Sequence, residues 1–403
     1  MRSLRVLIVG IGVCALLAAC ARSVPSEQAA IAGEPPLVTP LVAVTPTAWQ
    51  ARGTVVSAHD FADVDATVSD RAAKAVVATY RSVNATTGQS SEVTGSFFVP
   101  RGRPPQGGWP VVSFAHGTTG LLNGCGPSGH GDLLGWTGTV QALLAMRYAV
   151  AFTDYEGLGP RGVHPYLEPT TAAYNVIDAV RALRSIDASV SSRWLAYGVS
   201  QGGQAAWAAD ELDRDYGQDL DLVGSVALAP VADASRIADL AASQSLSSEM
   251  QAVFPMVVVG ANRVDPALKL SNYLSSSVRD KLDPLIGCDN TARKEALAGL
   301  GSTDMVPASQ AATVALRNHL RAIALPQREL GAPLLVVNGL ADQTVLASWV
   351  SSAVSRSCRL GGRITHYELP GVGHADTVAN GDVVTWIDQR FAGAPAPSNC
   401  RSE

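Results

Sequence analysis

The stretch 193–206, RWLAYGVSQGGQAA, constrains the fold of this chain more than any other. Its apolar residues 194–199 predict a buried strand, and the alanine-rich sequence that follows predicts a helix. Between them lies Gly198-Val199-Ser200-Gln201-Gly202, a G-x-S-x-G pattern in the strand–turn–helix setting that this pattern requires. The flanking glycines permit a sharp turn that holds the Ser200 hydroxyl outward, which makes Ser200 a candidate nucleophile.

Short apolar strands alternate with helical segments along most of the chain. The predicted strands cover residues 75–84, 91–99, 109–115, 148–153, 194–199, 222–228, 334–338 and 363–369. The predicted helices cover residues 133–146, 172–186, 345–355 and 376–391, besides the one after Ser200. The first two strands flank a turn at 85–89 and form a predicted antiparallel hairpin. The rest of the alternation predicts an α/β fold, with a mostly parallel sheet flanked by helices.

Residues 231–331 interrupt this alternation with alanine-, leucine- and serine-rich sequence of little strand character. We expect them to form a mainly helical cap, inserted after the sixth predicted strand into a core made of residues 53–230 and 332–403. Within the cap, residues 250–260 (MQAVFPMVVVG) are uncharged and strongly apolar. They fit two interpretations equally well, a core helix or strand of the cap and the lining of an apolar substrate tunnel.

The N-terminal residues 1–19 have the composition of an export signal. Arg2 and Arg5 precede an apolar run and a small-residue cleavage site. Because Cys20 follows that site, we expect a lipoprotein signal in which Cys20 is lipidated and holds the protein at a membrane, with ordinary secretion as the alternative. Residues 20–52 then predict a lipid-anchor site and flexible tether. The expected location is outside the cytoplasm, at the cell envelope or secreted.

Composition excludes some partners and limits others. The net charge of −5 and the lack of Lys/Arg clusters argue against binding nucleic acid. Once the signal and Cys20 are set aside, four cysteines remain, and none has zinc-ribbon spacing, so we expect no metal. Their even number in an exported protein predicts two disulfides, with three pairings open. These cysteines are Cys125, Cys288, Cys358 and Cys400.

A serine nucleophile needs a base and a carboxylate that orients the base. In the α/β-hydrolase architecture these follow the serine in the order acid, histidine, each after a strand. Of the histidines after the cap, His366 lies inside the last predicted strand, whereas His374 lies just past it in a glycine-flanked loop. We therefore predict His374 as the base.

The acid should lie in the loop after the strand that resumes beyond the cap. Asp342 is four residues beyond that strand, and it is the predicted orienting carboxylate. Asp376 and Glu368 are the competitors, but both are too close to His374 in sequence to approach it from a separate loop.

An acyl-transfer enzyme also needs backbone N–H groups that bind the oxyanion of the tetrahedral intermediate. Gln201, directly after the nucleophile at a helix N-terminus, is predicted to supply one. The residues leave the second open between Gly117, in the loop His116-Gly117-Thr118, and the loop at Asp154.

These residues together resemble the secretory lipase family of bacteria and fungi, the group related to Candida lipase A, over residue 75 to the C-terminus. The motifs that support the resemblance are His116-Gly117-Thr118, Asp154-Tyr155-Glu156-Gly157, the G-x-S-x-G element with Gly203, the cap, Asp342 and Gly373-His374. The resemblance implies that Asp154 donates the second oxyanion N–H, in preference to Gly117. It also implies two disulfides, which by position join Cys125 to Cys288 and Cys358 to Cys400.

The expected function is hydrolysis of carboxylic esters, with triacylglycerols among the candidate substrates, through an acyl-enzyme on Ser200. No metal or organic cofactor is needed, and the expected partners are a small-molecule or lipid ester and the membrane. One alternative is an aminopeptidase or amidase of the same fold, although the sequence lacks an evident acidic cluster for a substrate amine. The other is a lipoprotein that binds a ligand without catalysis.

Overall fold

A computed structural model describes residues 39–377 and 381–400 of the chain. Nine strands of this described part form one sheet in the order β1-β2-β3-β5-β4-β6-β7-β8-β9. The strands are β1 (Val55–Asp60), β2 (Ala72–Asn84), β3 (Gln89–Pro100), β4 (Trp109–Ala115), β5 (Ala149–Thr153), β6 (Val190–Val199), β7 (Asp221–Leu228), β8 (Leu334–Gly339) and β9 (Ile364–Leu369).

Strand direction divides the sheet into two parts. β2 and β3 form the predicted antiparallel hairpin, and β3 also pairs antiparallel with β5. From β5 to β9 every neighbouring pair is parallel, with β4 between β5 and β6. Parallel strands place their carboxyl ends at one edge, so the loops after β4, β6, β8 and β9 lie together there.

The edge strand β1 was not predicted. It pairs antiparallel with β2, and five of its six residues are exposed, so its sequence VVSAHD shows no apolar face. This additional strand shifts the count by one, and the inserted segment therefore follows the seventh strand of the sheet rather than the sixth.

Helices cover both faces of the sheet, as the alternation of strands and helices predicts. They are α1 (Pro46–Ala51), α2 (Ala66–Ser69), α3 (Thr137–Ala145), α4 (Pro169–Ile186), α5 (Gln201–Tyr216), α12 (Ala347–Arg359) and α13 (Gly381–Phe391). Side chains of β6 alternate between two buried clusters, because successive residues of a strand point to opposite faces. Trp194 and Ala196 join the cluster that contains α4 and α5, whereas Leu195 and Tyr197 join the cluster that contains α3 and α13.

Between β7 and β8 the chain forms a layer of helices. They are α6 (Ile237–Ala242), α7 (Ser248–Val264), α8 (Ser276–Arg279), α9 (Leu282–Ile286), α10 (Asn290–Leu297) and α11 (Gln310–Ala322). Residues 231–331, all of which are described, contain no strand, so the predicted cap is helical. None of the helices in the described part is long and apolar enough to cross a membrane.

The predicted tether is wrong for its last residues. Pro46–Ala51 form the helix α1, whose N-terminus is capped by the hydroxyl of Thr45. Ala48 is buried, and the ring of Trp49 packs edge-on against Tyr216 with centroids 5.6 Å apart. These contacts fasten α1 to the domain. The predicted signal segment and Cys20 lie outside the described residues.

The predicted helices over 133–146 and 376–391 are described from several residues later than expected. Leu133 and Leu134 have positive φ angles of 52° and 51°, so a short 3-10 turn over Leu133–Gly135 precedes α3. A β-carbon disfavours this backbone conformation within an α-helix, and hydropathy alone does not reveal it. The last helix is described from Gly381 rather than from residue 376.

Candidate active site

Ser200 occupies the turn between β6 and α5. Its φ of 58° and ψ of −116° lie outside the regions that non-glycine residues usually adopt, as expected for a strained strand-to-helix turn. The glycines around it provide space. A Cβ at Gly198 would lie 1.9 Å from the carbonyl oxygen of Gly202, and a Cβ at Gly202 would lie 1.9 Å from that of Ala115. A side chain at either position would displace the backbone that presents Ser200.

The loops after β8 and β9 bring an acid and a base to Ser200. His374 Nε2 lies 2.9 Å from Ser200 Oγ, and His374 Nδ1 lies 2.6 Å from Asp342 Oδ2. Asp342 is buried, and its Oδ1 accepts the backbone N–H groups of Thr344 and Val345, both at 2.8 Å. These bonds fix the carboxylate, which in turn orients the imidazole. The structure thus brings the three predicted residues into one chain of hydrogen bonds.

The competing groups have other partners. His366, inside β9, has its Nε2 2.7 Å from Asn338 Oδ1, and burial lowers the pKa of its imidazole. Glu368 accepts a hydrogen bond from the hydroxyl of Ser351 at 2.6 Å. Asp376 is exposed. None of the three competitors contacts Ser200 or His374 through a hydrogen bond in the described part of the chain.

Two backbone N–H groups are available beside the nucleophile. Gln201 is the first residue of α5, where an N–H group has no acceptor within the helix. Gly117 lines the same cavity as Ser200, and a Cβ there would lie 3.5 Å from the carbonyl oxygen of Val199. Within the described residues the Gly117 N–H has no hydrogen-bond acceptor. Both groups are therefore free to bind an oxyanion.

The expectation that Asp154 supplies an oxyanion N–H is wrong. Its N–H donates to the carbonyl of Thr94 at 2.9 Å, next to the pairing of β3 with β5, and Asp154 does not line the cavity. The carboxylate accepts the hydroxyl of Thr94 at 2.5 Å, the N–H of Ser128 at 2.8 Å and the hydroxyl of Ser128 at 2.5 Å. Asp154 therefore fastens the loop around Ser128, and Gly117 is the better candidate for the second donor.

A buried histidine supports the loop at Gly117. His116 has its Nδ1 2.6 Å from the carbonyl oxygen of Gly117 and its Nε2 3.3 Å from that of Asp154. Burial lowers the pKa of this imidazole, which favours its neutral form. Tyr155 donates its hydroxyl to the carbonyl of His116 at 2.9 Å. The loop that presents Gly117 is therefore tied to the end of β5.

A second buried histidine holds the side chain of Gln201. Gln201 Nε2 lies 2.9 Å from His164 Nε2, and His164 Nδ1 lies 2.8 Å from the carbonyl oxygen of Glu156. Burial lowers the pKa of His164 to about 3, so the neutral ring donates at Nδ1 and accepts at Nε2. The sequence contains no signal that pairs His164 with Gln201.

Ser200 and His374 open onto a cavity of about 760 Å³ that extends to both sides of the sheet edge. One side is lined by residues of the cluster that contains the cap, namely Tyr166, Leu167, Val231, Ile237, Met256, Val257, Val345 and Trp349. The other side is lined by the cluster around α3 and α13, through Trp136, Leu143, Met146, Tyr197, Val199, Leu228 and Ile387. The nucleophile therefore faces a cavity with largely apolar walls, to which both buried clusters contribute.

The apolar segment 250–260 belongs to a core helix and also lines the cavity, whereas its role toward a substrate stays a prediction. It belongs to α7, in which Phe254 and Val258 are fully buried. Val253, Met256 and Val257 of the same helix line the cavity. Spacings of three and four residues place these three on one side of the helix, so one helix contributes both to the core and to the cavity wall.

Both disulfides join the pairs that the resemblance implies. Cys125 is bonded to Cys288, with Cα atoms 5.3 Å apart, and Cys358 is bonded to Cys400, with Cα atoms 5.5 Å apart. The first connects the loop after β4 to the helical segment 231–331. Disulfides of this kind are typical of exported proteins.

The sequence profile of the secretory lipase family matches residues 137–399, well over half of the chain. The chain belongs to the secretory lipase family. A Mycobacterium tuberculosis protein described as a probable inactive lipase is 26% identical over 272 residues, which are 64% of this chain and 58% of that protein. The chain thus spans less than two thirds of this relative. Family membership and the disulfides together indicate an exported protein.

Solved structures show the same fold. Candida antarctica lipase A in its closed state has a TM-score of 0.70 at 15% identity, over 89% of this chain and 88% of that chain. The rice cell wall degrading esterase LipA from Xanthomonas oryzae has a TM-score of 0.69 at 19% identity, over 86% of this chain and all of that chain. The fold is therefore that of the α/β-hydrolases, as the sequence predicts.

Proposed function

We propose that this secretory lipase family member hydrolyses carboxylic esters, with Ser200 as nucleophile, His374 as base and Asp342 as orienting acid. The observation that supports this most is the continuous hydrogen bonding from Asp342 Oδ2 through both nitrogens of His374 to Ser200 Oγ, at 2.6 and 2.9 Å. Ser200 and His374 line a cavity large enough for an organic substrate.

In the acylation step Ser200 Oγ attacks the ester carbonyl carbon while His374 Nε2 takes its proton. The carbonyl oxygen becomes an oxyanion, which the N–H groups of Gln201 and Gly117 stabilise. Asp342 stabilises the imidazolium that forms. His374 then returns the proton to the leaving alcohol, and the acyl group remains on Ser200.

In the deacylation step water attacks the acyl-enzyme. His374 accepts a proton from this water as the new carbon–oxygen bond forms, and the same two N–H groups bind the second oxyanion. Collapse of this intermediate breaks the bond to Ser200 Oγ, which recovers its proton from His374. The products are a carboxylic acid and an alcohol, and no cofactor takes part.

The lining of the cavity favours esters with apolar groups. Apolar side chains from both buried clusters line it, so removing the hydrocarbon of a substrate from water there favours binding. The ester carbon lies at Ser200. A triacylglycerol and a simpler lipid ester both meet this description, and a series of acyl chain lengths would discriminate between them.

The test compares wild type with Ser200→Ala and His374→Ala on p-nitrophenyl esters, with His366→Ala as the matched histidine control. We expect the first two variants to lose at least 99.9% of kcat, because removing a triad member typically costs several powers of ten. His366→Ala should retain most activity. Activity in Ser200→Ala above a tenth of wild type would exclude this assignment.

A second function is favoured by the Mycobacterium tuberculosis relative, which is described as a probable inactive lipase. On this alternative the cavity binds an apolar ligand without cleaving it. A fluorophosphonate probe labels an activated serine, so labelling of wild type at Ser200 supports the hydrolase, and a folded protein that resists labelling supports the binding protein. Aminoacyl anilides, tested beside the esters, check the amidase alternative.

We also propose that residues 231–331 act as a cap over a catalytic core.

A further proposal concerns the N-terminus: Cys20 is lipidated after removal of residues 1–19. The basic and apolar composition before Cys20 supports this lipidation. Mass spectrometry of the intact mature protein tests it. A mass that contains diacylglycerol on Cys20 is expected, and an unmodified Cys20 would contradict it.

A further inference from the structure

Among the described residues in the wall of the active-site cavity, the acidic and basic side chains besides His374 are those of Glu249 and Arg293. Glu249 is exposed at the start of α7, and its electrostatic neighbour is Asp342, so it lies toward the acid of the triad. Arg293 comes from α10 and is partly buried. The two charged side chains therefore belong to different parts of the wall. Arg293 is the less exposed of the two.

The guanidinium of Arg293 has hydrogen-bond acceptors but no carboxylate partner. Nη2 donates to the carbonyls of Thr119, at 3.2 Å, and Gly287, and Nη1 donates to Asn290 Oδ1 at 3.1 Å. Nε is buried without an acceptor. An arginine has five N–H donors, so Nη1 retains one N–H beyond these contacts.

No ion pair involves Arg293 in the described part of the chain. Burial lowers the pKa of its guanidinium, because removing a cation from water is unfavourable, and the nearby carboxylate of Asp289, which forms no ion pair with it, offsets only part of this effect. A bound anion would supply the missing partner. Arg293 thus differs from Arg181 and Arg356, which are more deeply buried and pair with aspartates.

Arg293 lies next to the loop that follows β4. Its partner Thr119 is two residues beyond Gly117, so their Cα atoms are at most about 7 Å apart. Between them Thr118 lines the cavity, and its hydroxyl lies 2.8 Å from that of Tyr166, another lining residue. The cation therefore forms a polar corner of the cavity with two hydroxyl groups, close to the reacting ester.

We propose that Arg293 recognises a carboxylate on the substrate, so that the preferred esters are anionic at one end and apolar elsewhere. The expected effect on kcat/KM rests on the proposed ester hydrolysis. The expected binding of a carboxylate by Arg293 does not. The carboxylate accepts N–H from Arg293, and it can accept a further hydrogen bond from the hydroxyl of the Tyr166–Thr118 pair that does not donate within the pair. Charged hydrogen bonds of this kind are stronger than neutral ones, so we expect a large preference for the anionic ester over the neutral one.

The kinetic test uses pairs of esters that differ in charge. In the first pair, mono-p-nitrophenyl adipate has a carboxylate on the acyl side and p-nitrophenyl hexanoate is its neutral counterpart. In the second pair, 4-carboxyphenyl hexanoate has a carboxylate on the alcohol side and 4-carbamoylphenyl hexanoate is its neutral counterpart. We expect wild type to prefer the anionic member of one pair, and Arg293→Met to lower kcat/KM for that ester by on the order of ten- to a hundredfold. The pair that shows the preference identifies the side on which the carboxylate lies.

Arg263→Met is the matched control. Arg263 is also a partly buried cap arginine that donates to loop carbonyls, those of Leu121 at 2.8 Å and His164 at 3.2 Å, but it does not line the cavity. Its substitution should leave the anionic-to-neutral ratio unchanged. A wild type without preference in either pair, or an Arg293→Met that lowers both members of a pair equally, would overturn the inference.

A binding experiment separates this inference from the proposed reaction. Calorimetry on Ser200→Ala measures monoethyl adipate against diethyl adipate, with and without Arg293→Met. Tighter binding of the monoester that is lost with Arg293→Met supports the inference even if wild type cleaves no ester. Equal binding of the two adipates refutes it even if wild type is an active esterase.

Discussion

Glu211 should make the stability of this protein depend on pH. Its side chain is 4% exposed within α5, and its Oε2 accepts the N–H groups of Gln327 at 2.8 Å and Arg328 at 3.0 Å, in the segment that returns from the cap to β8. Its Oε1 has no partner within the described residues. Burial, with a smaller effect of nearby Asp210, raises the pKa of Glu211 from 4.5 to about 8.

The sign follows from comparing folded and unfolded chains. Below pH 4.5 both hold the proton of Glu211. Between pH 4.5 and about 8 the unfolded chain releases it while the folded chain retains it, so the free energy of unfolding falls as pH rises through this window. One pKa unit corresponds to about 1.4 kcal/mol, so the shift of Glu211 corresponds to roughly 4 to 5 kcal/mol of stability lost by pH 8.

Glu211→Gln tests this reasoning, because the amide is neutral at every pH and its oxygen can still accept both N–H groups. We expect the free energy of unfolding of the variant to be close to wild type at pH 5 and to exceed it by roughly 2 to 4 kcal/mol at pH 8. Urea unfolding followed by tryptophan fluorescence from pH 5 to 8.5 provides the measurement. The exposed helix residue Glu295, changed to Gln, is the control. Parallel curves for wild type and Glu211→Gln would refute the reasoning.

Three further predictions concern the site and its supports. Asp342→Asn should lower kcat on esters by on the order of 10⁴-fold with little change in KM, since the amide no longer holds His374 in the required tautomer; a kcat within tenfold of wild type would contradict the role of Asp342. Asp154→Ala should lower the melting temperature through loss of three hydrogen bonds to its carboxylate, while the folded variant keeps a kcat near wild type; a variant of unchanged stability and abolished kcat would contradict this assignment. Replacing Cys125 and Cys288 together by serine should lower the free energy of unfolding by about 2 to 5 kcal/mol, because the bond closes a loop with a sequence separation of 163 residues; unfolding curves that superimpose on wild type would disprove it.

The elements around Ser200 were predictable because local rules determine them. The strand before Ser200 is a continuous apolar run, and the glycine at 198 has a local steric reason, because a Cβ there would meet the carbonyl oxygen of Gly202. The positions of Asp342 and His374 followed from the order of strands, since parallel strands place their following loops at one edge. Direction and order were therefore sufficient to bring these three residues together.

Features that depend on contacts between distant segments were not predictable. The resemblance assigns the second oxyanion N–H to Asp154 in preference to Gly117. Only the pairing of β3 with β5 reveals that the Asp154 N–H already has an acceptor. The sequence did not predict β1, because its exposed residues have no apolar periodicity. Arg293 is another case, because a lone arginine on a cap helix gives no sign that it lines the cavity.

The measurement that tests the central proposal most directly is acid quenching of the wild-type protein during turnover of a p-nitrophenyl ester, followed by peptide mass spectrometry. We predict an acyl group on the peptide that contains Ser200, formed with a burst of p-nitrophenol and absent from Ser200→Ala. No burst and no acylated peptide under conditions where folded protein and ester are both present, or an acyl group that persists in Ser200→Ala, would contradict it.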